Sequence, residues 1–326
     1  VKTAILRMLR NANDEYISGQ KLSELLNVSR TTVCNEINTL REYGYKIDAV
    51  SRRGYMLKST PDIVTDFAVG SLIKSKTFGK TIVYKDEISS TNILAKELAE
   101  KGYEHGTVVI ADTQSSGRGR RGRNFESPKG VGIFMTLILK PDFSPYCAPM
   151  LTLLAALAVS DAIEEIVDVP ANIKWPNDIV IGDKKICGIL TEMSIQADYI
   201  NNIVVGIGIN VNNESFPDEI KDVAGSIFTQ TDRKINRDVI IERVLFYFEK
   251  YYNAFLETND LSNVQDVYNK KLINLDKEVK VLDPKEPYEG ISRGITNTGE
   301  LIVEINNKIR HVASGEVSVR GMYGYV

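Results

Sequence analysis

The apolar residues of this chain are spaced in three different ways, and that change of spacing constrains the fold more than any other feature. Before Pro61 they recur at three- and four-residue steps. From there to about residue 270, strand-like runs alternate with helical stretches, and beyond 274 short strands follow one another. At 326 residues the chain exceeds a usual single core, so it reads as multidomain, with units at 1–60, 65–270 and 274–326. Pro61 after Ser59-Thr60 marks the first boundary.

In the first unit, residues 4–9 begin a short helix. Leu22, Leu25 and Leu26 give one face to a second, opened by Ser18 or Gly19. Asn27-Val28-Ser29 makes a turn, with Ser29 placed to cap a third helix that buries Val33, Ile37 and Leu40 and ends at Gly44. Arg30, Thr31, Thr32, Asn35 and Asn38 are left facing outward. Residues 45–57 supply two short strands around Ser51-Arg52-Arg53-Gly54. The sum is a winged helix-turn-helix. Its polar face suits base-pair edges, and Arg52 and Arg53 suit phosphates. Such three-helix domains also serve for protein docking or dimerisation. Ten Lys and Arg against six Asp and Glu make residues 1–60 a +4 segment on a body of −7, so the two parts are expected to meet different partners.

In the second unit, strands are expected at 81–84, 108–111, 132–139, 179–181, 188–194 and 203–209, with a helix over 91–101. An apolar helix covers 150–167, and Ile240, Val244, Tyr247, Phe248, Tyr251 and Phe255 mark an amphipathic one. This is an α+β pattern with a mixed sheet. Strands at 278–282, 288–295, 301–305 and 308–313, with Asn297-Thr298-Gly299 as a turn, suggest a small SH3-like β-barrel. Cys34, Cys147 and Cys187 lie far apart without CxxC spacing, and His105 and His311 are the only histidines. Reduced cytoplasmic thiols are expected, with neither a disulfide framework nor a zinc cluster. No apolar run reaches the ~18 residues that would span a bilayer, and none resembles a secretory signal.

The chemistry is concentrated in a few strings. Gly117-Arg118-Gly119-Arg120-Arg121-Gly122-Arg123 matches the spacing of a dinucleotide fingerprint but leads into a strand, where that fingerprint must open a helix. A Walker loop fails at 74–81, where Lys74 stands at the first required glycine. Glycines that allow close backbone approach, interleaved with forked permanent cations, suit a mobile cage for a polyanion. A solvated basic loop or a nucleic-acid patch is the alternative. Lys174-Trp175-Pro176-Asn177-Asp178 could neutralise phosphate, hold Mg²⁺ and orient an amine, or be a turn around a buried Trp. Lys185 enters an apolar strand, where an ammonium needs an anionic partner. Gly206-Ile207-Gly208-Ile209-Asn210 ends another apolar strand, and Ser90-Thr91-Asn92 starts a helix able to hold a polar ligand head.

Taken in order, Ser90-Thr91-Asn92, residues 114–123, 174–178, 185–190, 206–210 and Ser314-Gly315-Glu316-Val317-Ser318-Val319-Arg320 resemble the motifs of biotin protein ligases. With the winged helix, the whole chain resembles the bifunctional BirA type, which also represses biotin operons. The resemblance implies an ATP-dependent ligase that forms biotinyl-5'-AMP and passes biotin to a lysine of the biotin carboxyl carrier protein. It implies biotin held by Ser90, Thr91, Asn92 and Gln114, with Gly117, Arg118 and Gly119 at its carboxylate end. Arg120, Arg121 and Arg123 would close over phosphates, and Lys185 would contact the biotin carboxylate and α-phosphate. Lys174, Asn177, Asn210 and Arg320 would meet ATP, with Mg²⁺ near Asn177 and no metal fixed by the protein alone. Phe125 stands where many relatives have Trp, as an aromatic platform for adenine; residues 211–226 match no motif. Asp178 is the candidate to orient or deprotonate the carrier lysine. Arg30, Thr31, Thr32, Asn35, Arg52 and Arg53 would meet operator DNA, with a homodimer forming when biotinyl-AMP is bound. A ligase with a non-repressing N-terminal domain and a lipoate-type ligase are the alternatives.

Overall fold

The computed structural model describes residues 1–196, 199–283, 286–314, 318–321 and 325–326. At the N-terminus, α1 (Lys2–Asn11), α2 (Gly19–Leu26) and α3 (Arg30–Glu42) precede a hairpin of β1 (Lys46–Val50) and β2 (Gly54–Ser59). Ser18 and Ser29 cap α2 and α3 by accepting from the backbone N–H of Lys21 and Thr32. Asn27 supplies the left-handed turn between them. Ile5, Leu6, Leu9, Leu22, Val33, Ile37 and Leu40 form the core. Leu25 does not join it. On so short a helix Leu22 and Leu26 point inward, and Leu25 turns to the rim, 60% exposed.

Helix α4 (Asp66–Gly70) links this unit to the next, since Phe67 and Ala68 complete the N-terminal core while Val69 packs into the central one. The central unit comprises β3 (Ile82–Ile88), α5 (Thr91–Glu100), β4 (Val108–Gln114), β5 (Gly132–Leu139), α6 (Met150–Val167), β6 (Asn172–Lys174), β7 (Asp178–Ile181), β8 (Lys184–Gln196) and β9 (Tyr199–Asn210). After these come α7 (Ile227–Thr231), α8 (Arg237–Leu256) and α9 (Gln265–Lys271). The sheet runs β3-β4-β5-β9-β8-β7-β6, with β3 and β4 parallel and every other pair antiparallel. Alternation along the strands sorts side chains between two faces. Val109, Ile138 and Val204 meet Ala95, Leu98 and Ala99 of α5 on one side. Val108, Ile110, Met135, Leu137 and Val205 meet α6 and α8 on the other. Among the described residues, no helix is long and apolar enough to cross a membrane.

The C-terminal strands β10 (Glu278–Leu282), β11 (Tyr288–Ile295), β12 (Leu301–Ile305), β13 (Lys308–Val312) and β14 (Ser318–Gly321) form an antiparallel sheet in the order β13-β12-β11-β10-β14. Its edge strands β13 and β14 are not paired to each other among the described residues, so the barrel expected from the sequence is not closed. The central unit covers its apolar side instead: Val279, Val281, Leu301, Val303 and Val319 belong to the same core as α6 and α8.

Arg237, at the start of α8, is almost fully buried where the two larger units meet the linker. It donates to both oxygens of Asp62, to Asp112 Oδ1 at 2.8 Å and to the Gly132 carbonyl. Arg10 of α1 pairs with buried Asp238 at 2.7 Å beside it. Truncating one partner of a buried pair leaves the other charge uncompensated. Arg237→Met is therefore expected to lower stability by about 3–5 kcal/mol, read as a fall in the urea midpoint. Adding Asp62→Asn and Asp112→Asn should recover part of the loss.

Candidate active site

A cavity of about 360 Å³ opens at one end of the central sheet, where β4 and β9 finish and β7 and β8 begin. Of the ligand-site residues expected from the sequence, all but Gly117 line it. Gly117 lies behind the wall, where a Cβ would sit 2.3 Å from the Phe125 carbonyl oxygen.

One end is neutral and prebuilt. The Thr91 N–H and hydroxyl both donate to Gln114 Oε1, at 2.8 and 3.1 Å, and Gln114 Nε2 donates to Ser127 Oγ at 3.0 Å. Thr136 donates to Thr91 Oγ1 and to Asn92 Oδ1, while Asn92 Nδ2 donates to Glu192 at 2.8 Å and to the Leu190 carbonyl. Both ends of the Asn92 amide are thus committed to protein. They hold the start of α5 in place, and Gly206 makes room for them, since a Cβ there would come within 2.1 Å of Asn92 Oδ1. Ser90 is buried alongside.

The Arg-Gly segment, expected to be a mobile cage, is a hydrogen-bonded hairpin. The Gly119 N–H donates to the Arg123 carbonyl and the Phe125 N–H to the Gly117 carbonyl, with a bridge between Arg118 and Asn124. Arg121 takes φ of 57° at the tip. The hairpin lays the Phe125 ring on β9, where a Cβ at Gly208 would lie 2.7 Å from a ring carbon. Arg118, Arg121 and Arg123 are exposed. Arg120 turns inward, donating to Asn177 Oδ1 at 2.8 Å and to the Ser314 carbonyl of the C-terminal unit. Burial lowers its pKa, and the guanidinium remains charged.

The other end is cationic. Lys185 Nζ lies 2.6 Å from Asp178 Oδ1, which is the anionic partner its apolar strand requires. Asn177 Nδ2 donates to the same oxygen at 3.1 Å and to the Ile189 carbonyl. The Lys185 backbone is clamped by residues 216–225: its N–H donates to the Val223 carbonyl and its carbonyl accepts from Gly225. Lys174 is buried, and dehydration pushes its pKa down to about 8. Asp178 opposes that shift, while Lys185, Arg320 and Arg123 reinforce it. Trp175 is buried with its indole N–H on the Gly299 carbonyl at 3.0 Å, and Asn210 Nδ2 is held by the Gly225 carbonyl at 3.0 Å. The Lys-Trp-Pro-Asn-Asp string is therefore both a turn with a buried Trp and a wall of the cavity.

At the other end of the chain, Arg30, Thr31 and Asn35 are exposed on α3. Thr32 is half-buried, with its hydroxyl against Ser29 Oγ. Arg52 is exposed at the hairpin tip with φ of 66°, and Arg53 stacks its guanidinium 4.1 Å from the Tyr16 ring centroid.

Residues 84–210 match the biotin/lipoate A/B protein ligase family, 1–56 an HTH domain, and 275–320 the biotin protein ligase C terminal domain. The chain is 38% identical to the bifunctional ligase/repressor BirA of Bacillus subtilis over 317 residues, 97% of each chain. The chain belongs to the biotin protein ligase family. It is 27% identical to BirA of Escherichia coli, over 95% of this chain and 94% of that one. The biotin protein ligase of Aquifex aeolicus, solved in complex with biotin and ATP, superposes with a TM-score of 0.65 at 31% identity, over 74% of this chain and 99% of that one.

Some residues of this ligase family member's cavity escaped the sequence. Phe216, Ile220 and Val223 wall it from the segment that matched no motif. Their four- and three-residue spacing was the available signal, and the helical turns that start at Pro217 carry Ile220 and Val223. Tyr325 had no such signal; its hydroxyl donates to Asp178 Oδ2. Gly315, Glu316 and Val317 lie outside the described residues. Because Lys174 loses its proton as pH rises through about 8, inorganic pyrophosphate should bind more weakly at pH 9 than at pH 7 by calorimetric titration. Lys174→Gln should flatten that dependence.

Proposed function

We propose that the chain activates biotin with ATP as biotinyl-5'-AMP and transfers it to a lysine of the biotin carboxyl carrier protein. The observation that carries this reading is the half-buried Lys185–Asp178 pair between a prebuilt polar pocket and a cluster of cations. The family match at 84–210 covers lipoate ligases as well, and the match at 275–320, to biotin protein ligases, favours biotin.

A carboxylate attacking an α-phosphate brings two anions together, so the barrier is largely electrostatic. Lys185 stands where the carboxylate and phosphate would meet, and Lys174, Arg123 and Arg320 surround the pyrophosphate side. Ser90, Thr91 and Gln114 present polar groups to the ureido head, and Arg118 reaches the other end of the acid. Among the described residues no cluster of His, Cys, Asp and Glu could hold a metal. Mg²⁺, which the resemblance implies near Asn177, would arrive on ATP and neutralise the phosphates, with the Asn210 amide oxygen nearby, since Asn177 Oδ1 already accepts from Arg120. Arg120 ties the hairpin to Asn177 and Ser314, closing the cavity over an anhydride that water would hydrolyse. In the transfer step Lys185 turns to the phosphate and releases Asp178 Oδ1 to orient the incoming amine.

The same adenylate acts as corepressor, bound under the hairpin and favouring a homodimer whose paired α3 helices and wing arginines Arg52 and Arg53 meet a two-half-site operator. A reaction dependent on ATP, by a chain with three free thiols, belongs in the cytoplasm.

Incubation with biotin, Mg-ATP and an apo carrier domain should add the mass of one biotinyl group; no increase refutes the reading. Lys185→Ala should abolish biotin-dependent pyrophosphate release while sparing DNA binding by the N-terminal unit, and normal pyrophosphate release would refute the assignment. Arg120→Gly should release adenylate and label bystander lysines, seen by mass spectrometry as biotin on unrelated proteins.

A further inference from the structure

Two contacts of Tyr325 fall on groups that the reaction uses. Its hydroxyl donates to Asp178 Oδ2, and its ring lies 3.9 Å from Lys174 Nζ. It reaches the cavity from beyond β14, so the C-terminal segment supplies it and the catalytic sheet does not.

Asp178 Oδ1 is shared by Lys185 and Asn177. A carboxylate gripped at one oxygen can still rotate about its broad terminal torsion, and a donor at the second oxygen fixes its plane. Burial, and then the charge of Asp178, raise the Tyr325 phenol well above its ordinary pKa, so it stays a donor across the working pH range. The ring acts on Lys174 in two opposing ways. Its quadrupole favours the ammonium, while its bulk keeps water away. Burial, to which a ring 3.9 Å from Nζ adds, lowers the Lys174 pKa, with Asp178 opposing the shift and Lys185, Arg320 and Arg123 adding to it.

We propose that Tyr325 is a positioning residue whose hydroxyl sets Asp178 against Lys185 and whose ring controls the water around Lys174. This rests on the ligase reading above. The C-terminal segment thereby sets the rate of chemistry through one atom and the pH range of ATP binding through another part of the same side chain.

The two effects separate by substitution in the full chain. Tyr325→Phe keeps the ring and loses the hydroxyl; Tyr325→Ala loses both. In biotin-dependent exchange of pyrophosphate into ATP, Tyr325→Phe should lower kcat about tenfold, the size of one hydrogen bond to a charge, with KM for ATP within about twofold. In Tyr325→Ala, KM for ATP should also resist the rise that the parent shows above about pH 8. A ligand-free measurement runs beside it. In carbon-13 lysine NMR, the Lys174 signal, assigned by its loss in Lys174→Arg, should titrate at higher pH in Tyr325→Ala than in the parent and stay near the parent in Tyr325→Phe. No exchange by the parent overturns the ligase reading, and the Lys174 titration still decides the inference. An unchanged titration in Tyr325→Ala overturns the inference, as does parental kcat in Tyr325→Phe. Equal losses of rate in both variants with parental pH profiles, the mark of a purely structural role, overturn it too.

Discussion

Cations gathered around one small cavity repel each other, and each also loses hydration by being there. Asp178 is what lets Lys174 and Lys185 stand together at the mouth of β7 and β8. One of its oxygens takes Lys185 and Asn177, the other takes Tyr325, and its field opposes the loss of the Lys174 proton. Arg120 joins the same group through Asn177. The arrangement keeps positive charge concentrated while no anion is bound, and a ligand can then draw Lys185 away from a partner already in place.

The scaffold around that group is built by omission as much as by contact. Gly206 leaves space for the Asn92 amide and Gly208 for the Phe125 ring, so two adjacent inward positions of β9 serve opposite ends of the cavity. The antiparallel run β5-β9-β8-β7 gathers their ends on one edge, and the helices on both faces keep the strands rigid. A site made from strand ends inherits the precision of the sheet.

What was legible in the sequence was what periodicity or charge in an apolar run can reveal. Ser29, Val33, Ile37 and Leu40 announced a capped helix, and Lys185 in an apolar strand announced a carboxylate partner. Leu25 misled because spacing shows which side of a helix is apolar and not where the core ends, so Leu22 is fully buried while Leu25 sits at the rim. The sheet at 278–321 read as a barrel because short strands follow one another there, and short strands do not say whether a sheet curls on itself or lies against a neighbour. Tyr325 was invisible because its role comes from where the chain folds back, and no local pattern encodes that.

The seam between the N-terminal unit and the rest has a consequence for how such a chain can change. Arg10 is tied to a buried carboxylate of α8, and α4 gives side chains to both cores. A descendant that discarded the first sixty residues would inherit a stranded Asp238 and bare aromatic surface at Phe67. Losing the N-terminal unit would therefore require repairs inside the ligase unit, and the two are bound together in inheritance more tightly than a string of separate modules would be.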